Sequence, residues 1–263
     1  MDSPRADLLA HLARLASLAP ARALVEQLRR DPTPPSSLAG VALPLDLLDE
    51  QLRLAGLDDA ELATFREAGL GAPQLEAILY AHREALHAQR LLAALGSADH
   101  ERVSALLDGC PLPFGARREL AEMVSQLGEA LRDSLGEIPS GVVRLIGTSA
   151  TLFSLNPGKS PDHRFDDVQR SDLDLAIESA ALSRWLVAQG ATIEWSRINA
   201  GGTLLGLPRW LPVVGAWQAR WSASLGRPVG VVATGDGGPR RWPSMMDVAV
   251  SLRGEPCQAR RRG

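Results

Sequence analysis

Around Pro139-Ser140-Gly141 the apolar residues change their spacing, and this change limits the folds open to the chain. Before it they recur every three or four positions, the period of an amphipathic helix. After it they fall in short runs rich in valine and isoleucine, as in strands. The expected fold is therefore α+β, with an all-helical region over 1–138 and a small mixed-sheet α/β domain over 139–254. Residues 255–263, with Arg260-Arg261-Arg262, form a basic tail.

Within the first region Leu8, Leu9, Leu12, Leu15 and Leu18 share a helical spacing that Leu24, Val25 and Leu28 continue. The run 31–37, with Pro32, Pro34 and Pro35, breaks it and reads as a linker or loop. Further helices are predicted over 45–55, 58–68, 73–95, 98–108 and 115–135, with Pro73 suited to a first turn and Gly96 and Gly136 to stops. Leu75, Ile78, Leu79, His82 and Leu86 make one apolar stripe, so His82 reads as a residue of that face rather than a ligand. In the second region strands are predicted over 142–148, 172–178, 192–198, 229–234 and 245–252, and helices over 150–155, 180–189 and 214–225. A polar loop fills 156–170, and a turn through Gly235-Asp236-Gly237-Gly238-Pro239 joins the last two strands.

Composition excludes several classes. At 263 residues and 45% hydrophobic the chain has ample material for a core. Cys110 and Cys257 lie too far apart in sequence to suggest a disulfide framework or a metal knuckle, and a reducing cytoplasm is expected. No apolar run is long enough for a bilayer span and the first residues lack the order of a signal peptide, so no membrane association is expected. Five scattered histidines predict no zinc site. Residues 1–140 hold 13 Arg against 21 Asp and Glu, while 141–263 hold 15 Lys and Arg against 10 acids. The second half would thus attract polyanions.

That basic half nevertheless contains Asp172-Leu173-Asp174-Leu175. Alternate strand residues share a face, so the two carboxylates should lie together while Leu173 and Leu175 enter a core. Like charges held side by side call for a cation, and oxygen donors suit Mg2+ shared with substrate phosphates. Upstream, Gly147-Thr148-Ser149 ends a strand; glycine permits close backbone approach to a phosphate, and the hydroxyls can donate to it. Downstream, Asp247 is a third acid in Ser244-Met245-Met246-Asp247-Val248-Ala249-Val250.

In this order, the elements over about 142–252 resemble the DNA polymerase β-like nucleotidyltransferase superfamily. The resemblance implies a Mg2+-dependent enzyme, with two ions and with Mn2+ as a substitute, that moves a nucleoside monophosphate from an NTP to a hydroxyl. Asp172, Asp174 and Asp247 are the implied metal ligands and catalytic acids; Gly147, Thr148 and Ser149 would hold the nucleotide. The acceptor stays open among RNA, a small molecule, a protein and a second nucleotide. The chain departs from the family pattern at Thr148, in the 22 residues between Ser149 and Asp172, and in lacking an arginine just after the turn. In this stretched loop Gly158-Lys159-Ser160 mimics the end of a P-loop, but Phe153 occupies the first glycine position and Pro161 interrupts the helix. Lys159, the only lysine, and Arg164 are instead candidates to reach the triphosphate, against a reading as solvated loop charges.

All six tryptophans follow residue 184. Trp185, Trp217 and Trp221 sit at helical positions, and Arg209-Trp210 and Arg241-Trp242 could stack on a base or pack internally. Two other readings compete with the enzyme. One is a non-catalytic nucleotide-binding or antitoxin-like regulatory protein of the same fold. The other gives the N-terminal helices the task of binding a protein partner.

Overall fold

The computed structural model describes residues 4–33, 45–108, 110, 112–114, 116–155, 159, 163–165, 172–196, 201–204, 206–234, 248–255 and 257. The chain forms two compact units: Met1–Val103 with Phe153–His163 and Trp242–Ser244, and Ser104–Leu152 with Arg164–Arg241 and Met245–Gly263. The first boundary therefore falls after Val103, inside the region expected to be one helical domain. The last long helix of that region packs with the sheet, for reasons given below.

The first unit contains helices α1 (Pro4–Ala16), α2 (Ala19–Arg30), α3 (Leu45–Leu54), α4 (Asp59–Glu67), α5 (Ala72–Ala94) and the start of α6 (His100–Leu107). The leucine pattern read as continuous from Leu8 to Leu28 is two helices. Pro20 lies in the first turn of α2, where its missing N–H costs nothing but prevents α1 from running on. Leu18 makes the bend at φ 62°, a left-handed conformation uncommon for a side chain with a Cβ. Asp58 caps α4 by accepting the Glu61 amide at 2.8 Å, while Glu61 Oε2 accepts the Asp58 amide at 3.0 Å.

With 23 residues, about 34 Å long, α5 is the spine against which α1, α2 and α3 pack. Leu75, Ile78 and Leu79 are buried as the stripe predicts, together with Leu28, Leu48, Leu52, Leu62 and Phe65. The same helix also buries Glu76, Arg83, Glu84 and His87. These charges do not follow from helical periodicity alone. Arg83, 2% exposed, donates from Nη1 to Gln51 Oε1 (3.1 Å) and from Nη2 to the Lys159 carbonyl (2.8 Å). Tyr80 donates to Glu76 at 3.2 Å. Burial, aided by neighbouring Arg90, pushes the Arg83 guanidinium down to about 10.

The second unit is built on a six-stranded sheet of order β3-β4-β5-β2-β1-β6. The strands are β1 (Val142–Ile146), β2 (Leu173–Glu178), β3 (Ile193–Ser196), β4 (Gly201–Leu204), β5 (Val229–Thr234) and β6 (Ala249–Ser251). Among the described residues only β2 and β5 run parallel; the other neighbours are antiparallel. The helices are α7 (Arg117–Leu135), α8 (Thr148–Thr151), α9 (Ala180–Ala188), α10 (Leu207–Trp210) and α11 (Pro212–Leu225). β4 was not expected, because Gly201-Gly202 has poor strand propensity; pairing on both edges with β3 and β5 supplies what the local sequence lacks. The last two predicted strands are not hairpin partners. β6 pairs with β1, two strands away from β5.

Amphipathic α7 packs on β6 and α11, so it belongs with the sheet. Gly128 brings it there: a Cβ at this position would overlap the Leu252 carbonyl. Trp217 of α11 is buried and donates to the Met123 carbonyl at 3.1 Å, whereas Trp185 and Trp221 are half-buried. Arg209 and Trp210 fall in α10 rather than a loop, with the guanidinium 5.2 Å from the indole centre. Residues 241 and 242 lie outside the described residues. Among the described residues no single helix is long and apolar enough to cross a membrane.

Candidate functional site

The predicted turn and one of the predicted acids meet where β1 ends beside β2. Ile146 is the register partner of Asp174, and Gly147 follows at φ 69° and ψ −160°, a conformation that glycine adopts without strain. Asp174 Oδ2 lies 3.2 Å from where a Gly147 Cβ would stand. On the other side Asp174 faces Gly230 of β5, and its Oδ1 lies 2.7 Å from the corresponding Cβ position. Both carboxylate oxygens thus occupy space that two glycines leave open. Gly230 was not among the expected site residues. Its signal was present all the same, as a lone glycine within Val229-Gly230-Val231-Val232, where a missing side chain marks close approach.

Asp172 is exposed and stands just before β2, which begins one residue later than predicted. Leu173 and Leu175 are buried, as alternation requires, while Asp174 is half-buried. Thr148 is half-buried at the start of α8. Ser149 is fully buried, and its hydroxyl donates to the Ile146 carbonyl at 2.8 Å, so its single proton is committed to the turn itself. Thr151 likewise donates to the Gly147 carbonyl at 3.0 Å. The helix expected over 150–155 starts at Thr148 and ends at Thr151, and Leu152 leaves it at φ 64°.

Two backbone hydrogen bonds tie the flanks of the stretched loop together. Phe165 N–H donates to the Leu152 carbonyl (2.9 Å) in the sheet unit, and Ser154 N–H donates to the His163 carbonyl (2.8 Å) in the helical unit. Within the helical unit Phe153 meets the buried His87 edge-on, with ring centres 6.4 Å apart. The Lys159 side chain is exposed and its carbonyl is the acceptor for Arg83. Arg164 is half-buried and belongs to the sheet unit, so the two loop cations fall in different units.

A further cation emerges that was not anticipated. Arg227 precedes Pro228, whose carbonyl accepts the Leu173 amide at 2.8 Å, and Leu173 is paired with Val229. Arg227 therefore stands just before the start of β5, next to the start of β2, which Asp172 precedes. Its guanidinium sits 4.1 Å from the centre of the buried Phe165 ring, and burial lowers its pKa. Its sequence context, Gly226-Arg227-Pro228, has no distinguishing pattern. Only pairing of distant strands places its backbone beside the start of β2.

Asp247 lies outside the described residues. Its neighbour Val248 is described and accepts the Leu145 amide at 3.2 Å. Arg144 and Glu178, in contrast, form a 2.5 Å ion pair across β1 and β2, with both side chains largely covered. No known protein family, curated protein or solved structure matches the chain.

Proposed function

We propose that the chain is a Mg2+-dependent nucleotidyltransferase that moves a nucleoside monophosphate from an NTP to a hydroxyl of a small molecule, an RNA, a protein or a second nucleotide. One observation carries this reading: the Asp174 carboxylate rests between Gly147 and Gly230 at the strand end that Asp172 precedes. Glycine on both flanks lets each carboxylate oxygen sit close against a neighbouring backbone. The donor set of oxygen ligands suits Mg2+. When bound, the metal would neutralise the triphosphate and lower the pKa of the attacking hydroxyl.

The chain's own residues supply the rest. Asp172 and Asp174 hold the cations, and the turn at Gly147 and Thr148 offers backbone amides and a hydroxyl to the phosphates. Arg227 takes the role of the arginine absent after the turn, stacked on Phe165 and therefore limited in its motion. Lys159 and Arg164 remain candidates for the same phosphates. Asp247 is the proposed third acid, accepting the proton of the nucleophile as its oxygen attacks the α-phosphorus and pyrophosphate leaves. Support for it comes from Val248, held beside Leu145 one residue before the partner of Asp174. The reducing cytoplasm is the proposed setting.

Incubation with labelled NTPs and candidate acceptors, with release of pyrophosphate as readout, tests the proposal. Transfer should disappear in Asp172→Ala; activity unchanged by that substitution would end the assignment. The committed Ser149 proton favours a second reading, a protein that binds nucleotide without turning it over. Calorimetry separates the two, since Mg2+-dependent NTP binding without pyrophosphate release supports the second. Partner binding through the N-terminal helices predicts that copurified protein is captured by the full chain and not by 104–263, which keeps α7 with the sheet.

A further inference from the structure

The helical unit forms an open cleft of about 640 Å³ between α2, α4 and α5, within the size range of small-molecule sites. Its floor is apolar, from Val25 and Phe65, both buried, and half-buried Leu86. Four charged side chains rise around it. Two of them cancel, because Arg29 pairs with Glu26 at 3.0 Å one turn along α2. The other two, Arg22 and Glu61, are exposed and do not pair with each other.

Arg22 makes no side-chain hydrogen bond or ion pair among the described residues. Glu61 uses Oε2 for the cap of α4, which leaves Oε1 for a ligand. His82 lines the same cleft and senses both charges: burial chiefly lowers its pKa, Glu61 opposes that shift and Arg22 adds to it. A neutral imidazole there can donate from one nitrogen and accept at the other. Leu18, the residue with the uncommon left-handed backbone, also lines the cleft.

A purely anionic ligand would satisfy Arg22 and be repelled by Glu61; a purely cationic one would meet the reverse. A ligand with both charges and an apolar body matches all three features. We propose that this cleft binds a small zwitterionic amphiphile, an apolar α-amino acid or a dipeptide of such residues, with carboxylate on Arg22, ammonium on Glu61 and side chain on the Val25–Phe65–Leu86 floor. The site is independent of the nucleotide chemistry assigned to the other unit.

Isothermal titration of the full chain with leucine, phenylalanine and the dipeptide Leu-Leu tests this. Isocaproate, which lacks the ammonium, and leucinamide, which lacks the carboxylate, serve as matched controls. At least one zwitterion should bind saturably, and each control should bind at least about tenfold more weakly than leucine or the dipeptide. The tighter of leucine and Leu-Leu identifies the size of the ligand. Arg22→Gln, at an exposed position, should weaken the zwitterion at least about tenfold without affecting leucinamide. Glu61→Gln keeps an acceptor for the cap and should weaken the zwitterion without affecting isocaproate. The proposal is overturned by no saturable binding of any zwitterion at about 10 mM, by isocaproate binding as tightly as the best zwitterion, or by unchanged binding in both variants.

Discussion

In the helical unit the Arg83 guanidinium is 2% exposed and gripped by the Gln51 side chain and the Lys159 carbonyl. In the sheet unit the Asp174 carboxylate is half-buried and lies against two glycines. The first charge donates from two nitrogens to polar groups of the protein, and the second has a glycine on each side. Desolvating a charge is costly unless partners replace water. Arg83 meets that requirement through its two Nη atoms and serves the fold. Under the proposed function Asp174 instead serves the site, where the two flanking glycines let its carboxylate lie close to the turn and to β5.

Substitutions can break this contrast. Asp174→Asn preserves shape while removing charge; NTP turnover should fall about a thousandfold or more, roughly 4 kcal/mol of barrier, with thermal stability nearly unchanged. If Asp174 were a structural charge like Arg83, the effects would be reversed, and melting curves run beside the assay would show it. Arg83→Met should lower unfolding free energy in urea by about 3 kcal/mol or more, because Gln51 and the Lys159 carbonyl lose their partner. Gly230→Ala should cost about 1–3 kcal/mol of stability by pressing on Asp174 Oδ1, with turnover reduced further than the stability loss explains.

The smallest effect comes from His82. Its folded pKa lies below the ordinary 6.5, so below about pH 6.5 the unfolded chain binds the proton more readily than the fold does. Stability should therefore fall as pH drops through the unfolded value towards the folded one, then level off. His82→Gln should remove that part of the slope in denaturant titrations. A wild-type slope identical to the variant's would show that His82 is as well hydrated as an exposed histidine.

Much of the fold was legible because it rests on local rules. Helical spacing located α3, α4, α5 and α7 to within two residues, and alternation of Leu173, Asp174 and Leu175 oriented β2 correctly. Failures occurred where local preference and long-range pairing disagree. Pro20 divided an apparently continuous helix, Gly201-Gly202 became a strand through its neighbours, and α7 joined the sheet through the close approach at Gly128. At the site, Gly147 and Asp174 could be named from their motif, and the structure brings them together. Asp247 lies outside the described residues. Gly230 and Arg227 could not be assigned to the site before the register of β2 and β5 was known, since more than fifty residues separate them from the acids.

By itself, the sequence determined the change from helical to strand periodicity at Pro139-Ser140-Gly141, the buried faces of most elements and the identity of the acidic pair. These depend on residue type and on spacing within one element. Tertiary structure alone decided which unit α7 joins, that Arg83 is buried against the loop at Lys159, and that glycines from β5 and the end of β1 flank one of the two acids. Those outcomes depend on strand order and on close approach between distant segments, which the spacing of residues within an element does not encode.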